Sequence, residues 1–327
     1  MKKLRIIIPV YNDWIALGML LRELDRSAAM LPFQIFVSII DDGSTDELPP
    51  SCQDASDLEH LVGAEVVAVS VNVGHQRAIA IGLCVAAEDH DADAVLVMDA
   101  DGEDPPHAIQ ALTHTIDRST DFCFIAHSKK RVETISFKTF YMLYKWFFQF
   151  VTGQSISFGN FCVLSRSYVD RLVMVSDLWN NLPAAIMRSQ LPITLVPVRR
   201  GRRYAGKSKM SFSSLIVHGF SSMSVYADTI FVRLLLLSIG LFVSCVILIF
   251  AGFSFRLFSP VHATLDWATT VAFSMIIILV QVLLTTISSI LVLLNNRVQR
   301  LFIPLVDFHP YLASRRLIFG RTLDETP

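Results

Sequence analysis

Two uncharged apolar runs in the carboxy-terminal half constrain this chain most. Residues 234–253 carry no charged side chain, and residues 268–294 are interrupted only by uncharged polar groups such as Gln281, Thr285 and Ser288. About 20 apolar residues in a helix cross the roughly 30 Å hydrocarbon layer of a bilayer, and in lipid only a helix or a closed barrel satisfies its own backbone. Two membrane-spanning helices are therefore expected. The loop between them, residues 254–267, holds one Arg and one Asp, whereas the chain beyond 294 carries Arg297, Arg300, Arg315, Arg316 and Arg321. The positive-inside tendency puts a tail at 295–327 on the cytoplasmic side, and a hairpin returns the amino-terminal part to that side as well.

The rest of the chain reads as water-soluble. A mean hydropathy of +0.50 is too apolar for an ordinary soluble protein, yet 17% charged residues are too many for a purely membrane one. A net charge of −1 gives no sign of a nucleic-acid partner. The five cysteines show no paired spacing and are read as reduced and structural. The basic start, "MKKLRIIIPVYND", has too brief an apolar run for a signal peptide and reads as a first strand.

Strands are expected at 4–10, 34–40, 65–71, 94–98 and 122–126, separated by helical patterns at 14–30, from the turn at Asn72 and Gly74 to about 88, and at 107–118. Such βα alternation implies a mostly parallel, doubly wound sheet. Its strand ends carry "YND", "DDGSTD", "NVGHQ" and "DADGEDPP". By the crossover rule these lie on one side, where ligands bind in open α/β sheets. Asp99 and Asp101 would crowd there without a cation, and hard oxygen ligands on a short loop suit Mg²⁺ or Mn²⁺ shared with substrate phosphates. An acidic surface turn is the plainer alternative. The most basic segment, "RRGRRYAGKSK" at 199–209, is either a solvated loop or a phosphate cradle. Residues 210–228 read as an amphipathic segment at a membrane surface.

Six motifs, "PVYND", "DDGSTD", "NVGHQRAIAIGL", "DADGEDPP", "SFGNFCVLSR" and "RYAGKSKMS", follow one another in the order seen in family-two glycosyltransferases of GT-A fold. The chain resembles the polyprenyl-phosphate sugar transferases among them, over roughly residues 4–211. The resemblance implies a GT-A (Rossmann-like) catalytic domain at 1–209, an interfacial segment at 210–230, a hairpin at 231–294 and the tail at 295–327. It implies that Pro9, Tyr11 and Asp13 hold the nucleotide base, with Asp41 or Asp42 on uracil or ribose and Gln76 on the nucleotide. Asp99 and Asp101 match the metal and diphosphate carboxylates. Glu103 stands where relatives often carry a Gln metal ligand, and Gly102 replaces a commoner Leu. Arg131 and Asn160 match the acceptor-phosphate region, where Ser128 replaces a second common arginine and Lys129 or Lys130 could compensate, and Arg203, Lys207 and Ser208 match an "R-x-x-G-x-S" element that closes over the phosphates.

The expected activity is inverting transfer of a hexose from a nucleotide-sugar, a UDP-sugar first, to a polyprenyl phosphate at the cytoplasmic membrane face, with Mg²⁺ or Mn²⁺. Two alternatives stand beside it. Transfer to a lipid hydroxyl would need a base, for which Asp104 and Glu133 are the nearby carboxylates. An inactive nucleotide-binding membrane scaffold is the other. His75 and His107 are read as caps or solvent contacts. Self-association through the membrane helices is an open expectation.

Overall fold

A computed structural model describes residues 2–53, 57–114, 116, 121–128, 142, 146–154, 158–205, 220–258, 265–298 and 300–323. They divide between two compact units, one drawn from 1–140, 156–225 and 302–327, the other from 141–155 and 226–301.

The first unit is built on one eight-stranded sheet. Strands β1 (Lys2–Val10), β2 (Phe33–Asp41), β3 (Leu61–Val69) and β4 (Ala94–Val97) are apolar runs that pair in parallel in the order β3-β2-β1-β4. Period-two alternation sends Leu4, Ile6, Ile8, Leu96 and Met98 into the core beneath α1 (Trp14–Ala28). Ile7, Val95 and Val97 face α3 (His75–Asp89) on the other side. α1 shows Trp14, Leu17, Leu20, Leu21 and Leu24 to the sheet at helical spacing, while α3 is buried along nearly its whole length. A one-turn helix, α2 (Pro50–Gln53), and α4 (Ala108–Thr113) complete the first half. Pro9 costs the sheet nothing, because the β1–β4 ladder stops at Ile7 and Val97, before a donor at Pro9 would be needed.

Beyond β4 the order departs from sequence order. β6 (Cys162–Ser165) runs antiparallel between β4 and β5 (Cys123–Ser128), and β7 (Thr194–Val198) forms the edge beside β5. α5 (Arg166–Leu172) and α6 (Leu182–Ser189) follow β6, each capped by a side chain, Ser165 and Asn181 respectively. All five cysteines are free and buried.

The expected tail is the main correction. Residues 304–307 form a short helix, α9 (Pro304–Asp307), and β8 (Leu312–Gly320) pairs antiparallel with β3 as the other edge of the sheet. The physical reason is electrostatic. Arg5 of β1 is 1% exposed and bonds Glu65 at 3.0 Å and Asp89 at 2.7 Å, with Asp91 also in contact. Arg315 of β8 supplies a second cation to Glu65 and Asp89. Three acids around one buried arginine need that second charge, since an unpaired buried charge is expensive.

The second unit holds two long helices, α7 (Ala227–Phe258) and α8 (Leu265–Val298), so α7 begins inside the stretch expected to lie at a membrane surface. Each is long and apolar enough to cross a membrane. Their apolar side chains point outward, with Leu236, Ile247, Phe250 and Phe273 all more than half exposed, the reverse of a soluble core helix. Between them Ser238 and Thr286 share a buried hydroxyl bond of 3.0 Å. Helical residues 146–152 belong to this unit, and the carbonyl of Phe150 accepts from Arg233 of α7 at 2.8 Å.

A candidate active site at the strand ends

The loop after β4 is shaped from both sides. Asp101 Oδ1 accepts the Glu103 N–H at 2.9 Å, and Asp104 Oδ2 accepts the Asp99 N–H at 3.0 Å. The loop is then clamped to residues 200–204: Gly201 N–H donates to the Glu103 carbonyl at 2.8 Å, and Tyr204 N–H to the Asp101 carbonyl at 2.9 Å. The approach is close enough to require glycine. Gly102 has φ +88°, and a Cβ there would lie 2.5 Å from the Tyr204 ring. A Cβ on Gly201 would lie 2.1 Å from the Gly102 carbonyl oxygen.

That clamp brings two arginines to the carboxylates. Arg203 donates to Asp101 Oδ2 at 3.0 Å and to Asp13 Oδ2 at 3.1 Å, tying the strand ends of β1 and β4 together. Arg200 pairs with Glu103. Asp99 is half-buried, and its Oδ1 lies 3.3 Å from His75 Nε2 at the start of α3, with no hydrogen bond among the described residues. Burial alone would raise the Asp99 pKa, but the neighbouring His75 outweighs it and holds the group below its usual value. His75 is shifted up in turn, its burial overcome by the Asp99 charge. Asp104 is pushed well above the carboxylate range by burial and then by the charge of Asp99. Asp101 is raised by burial, with the charges of Asp99 and Glu103 adding to it, against the Glu103 N–H and Arg203. Four acids on one short loop therefore repel one another, and cations relieve them.

The other expected residues divide by what their polar atoms already do. Asp42 is buried, and its carboxylate accepts from Val73 N–H at 2.7 Å and Gly74 N–H at 3.0 Å, which fixes the loop before α3. Burial raises its pKa. Asp41 is less buried, with Oδ1 accepting from Ser44 N–H at 2.9 Å. Gln76 is buried and engaged at both ends, donating to Asn160 Oδ1 at 3.0 Å and accepting from Leu182 N–H at 2.8 Å. It braces α3 against the start of α6 and holds Asn160, whose Nδ2 lies 3.1 Å from His75 Nε2. The side chain of Tyr11 is exposed beyond β1, and Pro9 is buried within it. Lys129, Lys130, Arg131, Glu133, Lys207 and Ser208 lie outside the described residues.

Asp99 and Asp101 suit a hard divalent cation by donor chemistry, and the orphaned Oδ1 of Asp99 is the kind of atom such an ion would satisfy. The expected triad is not assembled, however. Glu103 is turned to Arg200, and no group of three His, Cys, Asp or Glu side chains within reach of one metal ion occurs among the described residues. Sequence reading passed over Arg200 and set His75 aside. Only the fold shows that Arg200 meets an acid 97 positions away.

The glycosyl transferase family 2 model matches residues 5–169, half of the chain. The chain belongs to glycosyl transferase family 2. It has a GT-A fold. Among curated relatives, the undecaprenyl-phosphate 4-deoxy-4-formamido-L-arabinose transferase of Klebsiella pneumoniae subsp. pneumoniae is 29% identical over 221 residues, 66% of this chain and 64% of that protein. The enzyme of the same name from Enterobacter sp. strain 638 is 27% identical over 65% of this chain and 64% of its own length. This chain thus matches just under two thirds of the length of these curated relatives. Among solved structures, glucosyl-3-phosphoglycerate synthase from Mycobacterium tuberculosis, crystallised with Mn²⁺, UDP-glucose and phosphoglyceric acid, superposes with a TM-score of 0.50 at 11% identity. It covers 70% of this chain and 80% of that one, a likeness of fold.

Proposed function

We propose that this chain is a glycosyltransferase, anchored in a membrane by α7 and α8, that moves a sugar from a nucleoside-diphosphate donor to a polyprenyl phosphate on the cytoplasmic face. The observation that carries the reading is Arg203 bonded to both Asp101 and Asp13, with Asp99 on the same loop as Asp101, at the ends of parallel strands. The names of the curated relatives support the acceptor, and they widen the donor from the expected UDP-hexose to a formamido-pentose of arabinose type. The outward-facing apolar side chains of α7 and α8 support the anchor.

Asp99 and Asp101 would hold Mg²⁺ or Mn²⁺, which when bound supplies positive charge to the departing nucleoside diphosphate. Glu103 stays with Arg200 in this reading. Arg203 swings from carboxylate to diphosphate at little cost, because its planar fork suits either partner. Asp13 and Asp41, each with acceptor oxygens near the strand ends, bind the nucleoside, while Asp42 and Gln76 shape the loops around it. Lys207 and Ser208 add phosphate contacts. The acceptor phosphate is already ionised at pH 7 and needs positioning beside the anomeric carbon, not a base. Lys129, Lys130, Arg131 and Asn160 are assigned to that task.

The test offers purified protein several UDP-sugars, including UDP-4-deoxy-4-formamido-L-arabinose, with undecaprenyl phosphate and Mg²⁺ or Mn²⁺. An acid-labile, sugar-labelled lipid is the expected product. Nucleotide-sugar hydrolysis with no lipid product, or an acid-stable glycolipid, overturns the phosphate acceptor.

A further inference from the structure

Gln281 sits midway along the apolar window Ala272–Leu291 of α8, which places it within about 2 Å of that window's midpoint at 1.5 Å per residue. Its amide is exposed and has no hydrogen-bond partner among the described residues. The polar groups around it are otherwise satisfied. Thr285 donates to the Gln281 carbonyl and Ser289 to the Thr285 carbonyl, each at 2.8 Å, and Ser238 and Thr286 bond each other. Leu234, Leu237, Ser238, Gln281, Thr285 and Ser289 line an open groove of about 440 Å³ along the two helices. One amide, with two donors and one acceptor, is left facing the position of the lipid core.

We infer that this groove is a self-association surface, and that the partner seated on it is a second copy of this chain contributing its own Gln281. The inference rests on the membrane reading of α7 and α8. A lipid chain filling the groove would leave the amide without a partner, which is costly in hydrocarbon. Another amide satisfies it reciprocally, because the group is both donor and acceptor. Copies of one chain insert in one orientation, so Gln281 lies at the same depth in each. Rotational symmetry about the membrane normal then brings like residues together. The small side chains of Thr285 and Ser289, one turn apart, let the backbones approach.

The test reconstitutes full-length chains labelled at the amino terminus with donor or acceptor dyes into phosphatidylcholine–phosphatidylglycerol vesicles and follows energy transfer as lipid is added. Flotation of the same vesicles reports membrane insertion separately. Wild type should float and show transfer, and Gln281→Leu should float equally but lose half its transfer at about tenfold less lipid. Gln281→Asn, which keeps the amide, should stay near wild type. Unchanged association of Gln281→Leu, or a wild type that floats without transfer at any dilution, overturns the inference while leaving the anchor intact. A chain that does not float overturns both.

Discussion

Gly201 and Gly102 offer the sharpest test of the clamp, because the obstacles to a methyl group differ in kind. At Gly201 an added Cβ meets the Gly102 carbonyl oxygen at 2.1 Å, so backbone must move by about 1 Å to restore ordinary contact. That motion breaks two bonds, Gly201 N–H to Glu103 and Tyr204 N–H to Asp101, worth about 1 kcal/mol each. It also withdraws Arg200 and Arg203 from the carboxylates. We expect Gly201→Ala to lower kcat/KM for transfer about 100-fold, equivalent to about 2.7 kcal/mol. At Gly102 the obstacle is the Tyr204 ring, 2.5 Å away, together with a φ of +88°. That backbone conformation costs a side-chain-bearing residue about 1–3 kcal/mol, and only the ring contact can be relieved by a second substitution. Tyr204→Ala should therefore recover part of the loss in Gly102→Ala and none of it in Gly201→Ala, a difference that a double-mutant cycle measures directly. The reasoning fails if Gly201→Ala stays within threefold of wild type, or if Tyr204→Ala rescues both glycines alike.

The carboxylate roles separate by Mn²⁺ titration followed by electron paramagnetic resonance, in the presence of UDP. Asp99→Asn should weaken binding at least tenfold, whereas Glu103→Gln should change it less than threefold, since Glu103 faces Arg200. Equal losses would restore Glu103 as a ligand. Arg315→Ala should cost about 2 kcal/mol at neutral pH, below the full value for a buried pair because solvent reaches Arg315. Burial raises the Asp89 pKa, but Arg315 and Arg5 together hold it below the ordinary carboxylate value. That stability is present above the ordinary value and lost as pH falls through the depressed one. Arg315→Ala should accordingly flatten the acid limb of the unfolding profile, and an unchanged limb would refute the coupling.

The parts of the fold legible beforehand were those written in local pattern. Apolar runs ending in polar clusters marked β1 to β4, and right-handed crossovers put Asp13, Asp41, Asp99 and Asp101 on one side without any coordinate. Strand direction is not written in periodicity, so the antiparallel entry of β6 between β4 and β5 was not visible in "NFCVLSR". The placement of single charges was harder still. Arg5, inside the apolar run "LRIIIPV", gives no hint that its partners are Glu65, Asp89 and Asp91. The contact of Glu103 with Arg200 was hidden because the two are remote in sequence. A polar side chain at a helix start likewise does not reveal that Leu182 and Asn160 occupy both ends of Gln76.

The misread of residues 295–327 bears on topology more than on fold. Arg315 and Arg316 entered the positive-inside argument as free charges, yet Arg315 is held by Glu65 and Asp89 within β8. A different constraint replaces what is lost. β8 completes the same sheet as β3, so residues 61–69 and 312–320 share one compartment. Under the proposed anchoring, the chain between them must cross the bilayer an even number of times. Two helices meet that condition, and one crossing helix with the other lying on the surface does not. The sheet therefore pairs the fates of α7 and α8. Substituting Leu241 by Arg at mid-span should expel α7, force α8 out with it and leave the sheet intact. A protein that kept α8 inserted, read by accessibility of a thiol placed between α7 and α8, would have to surrender β8.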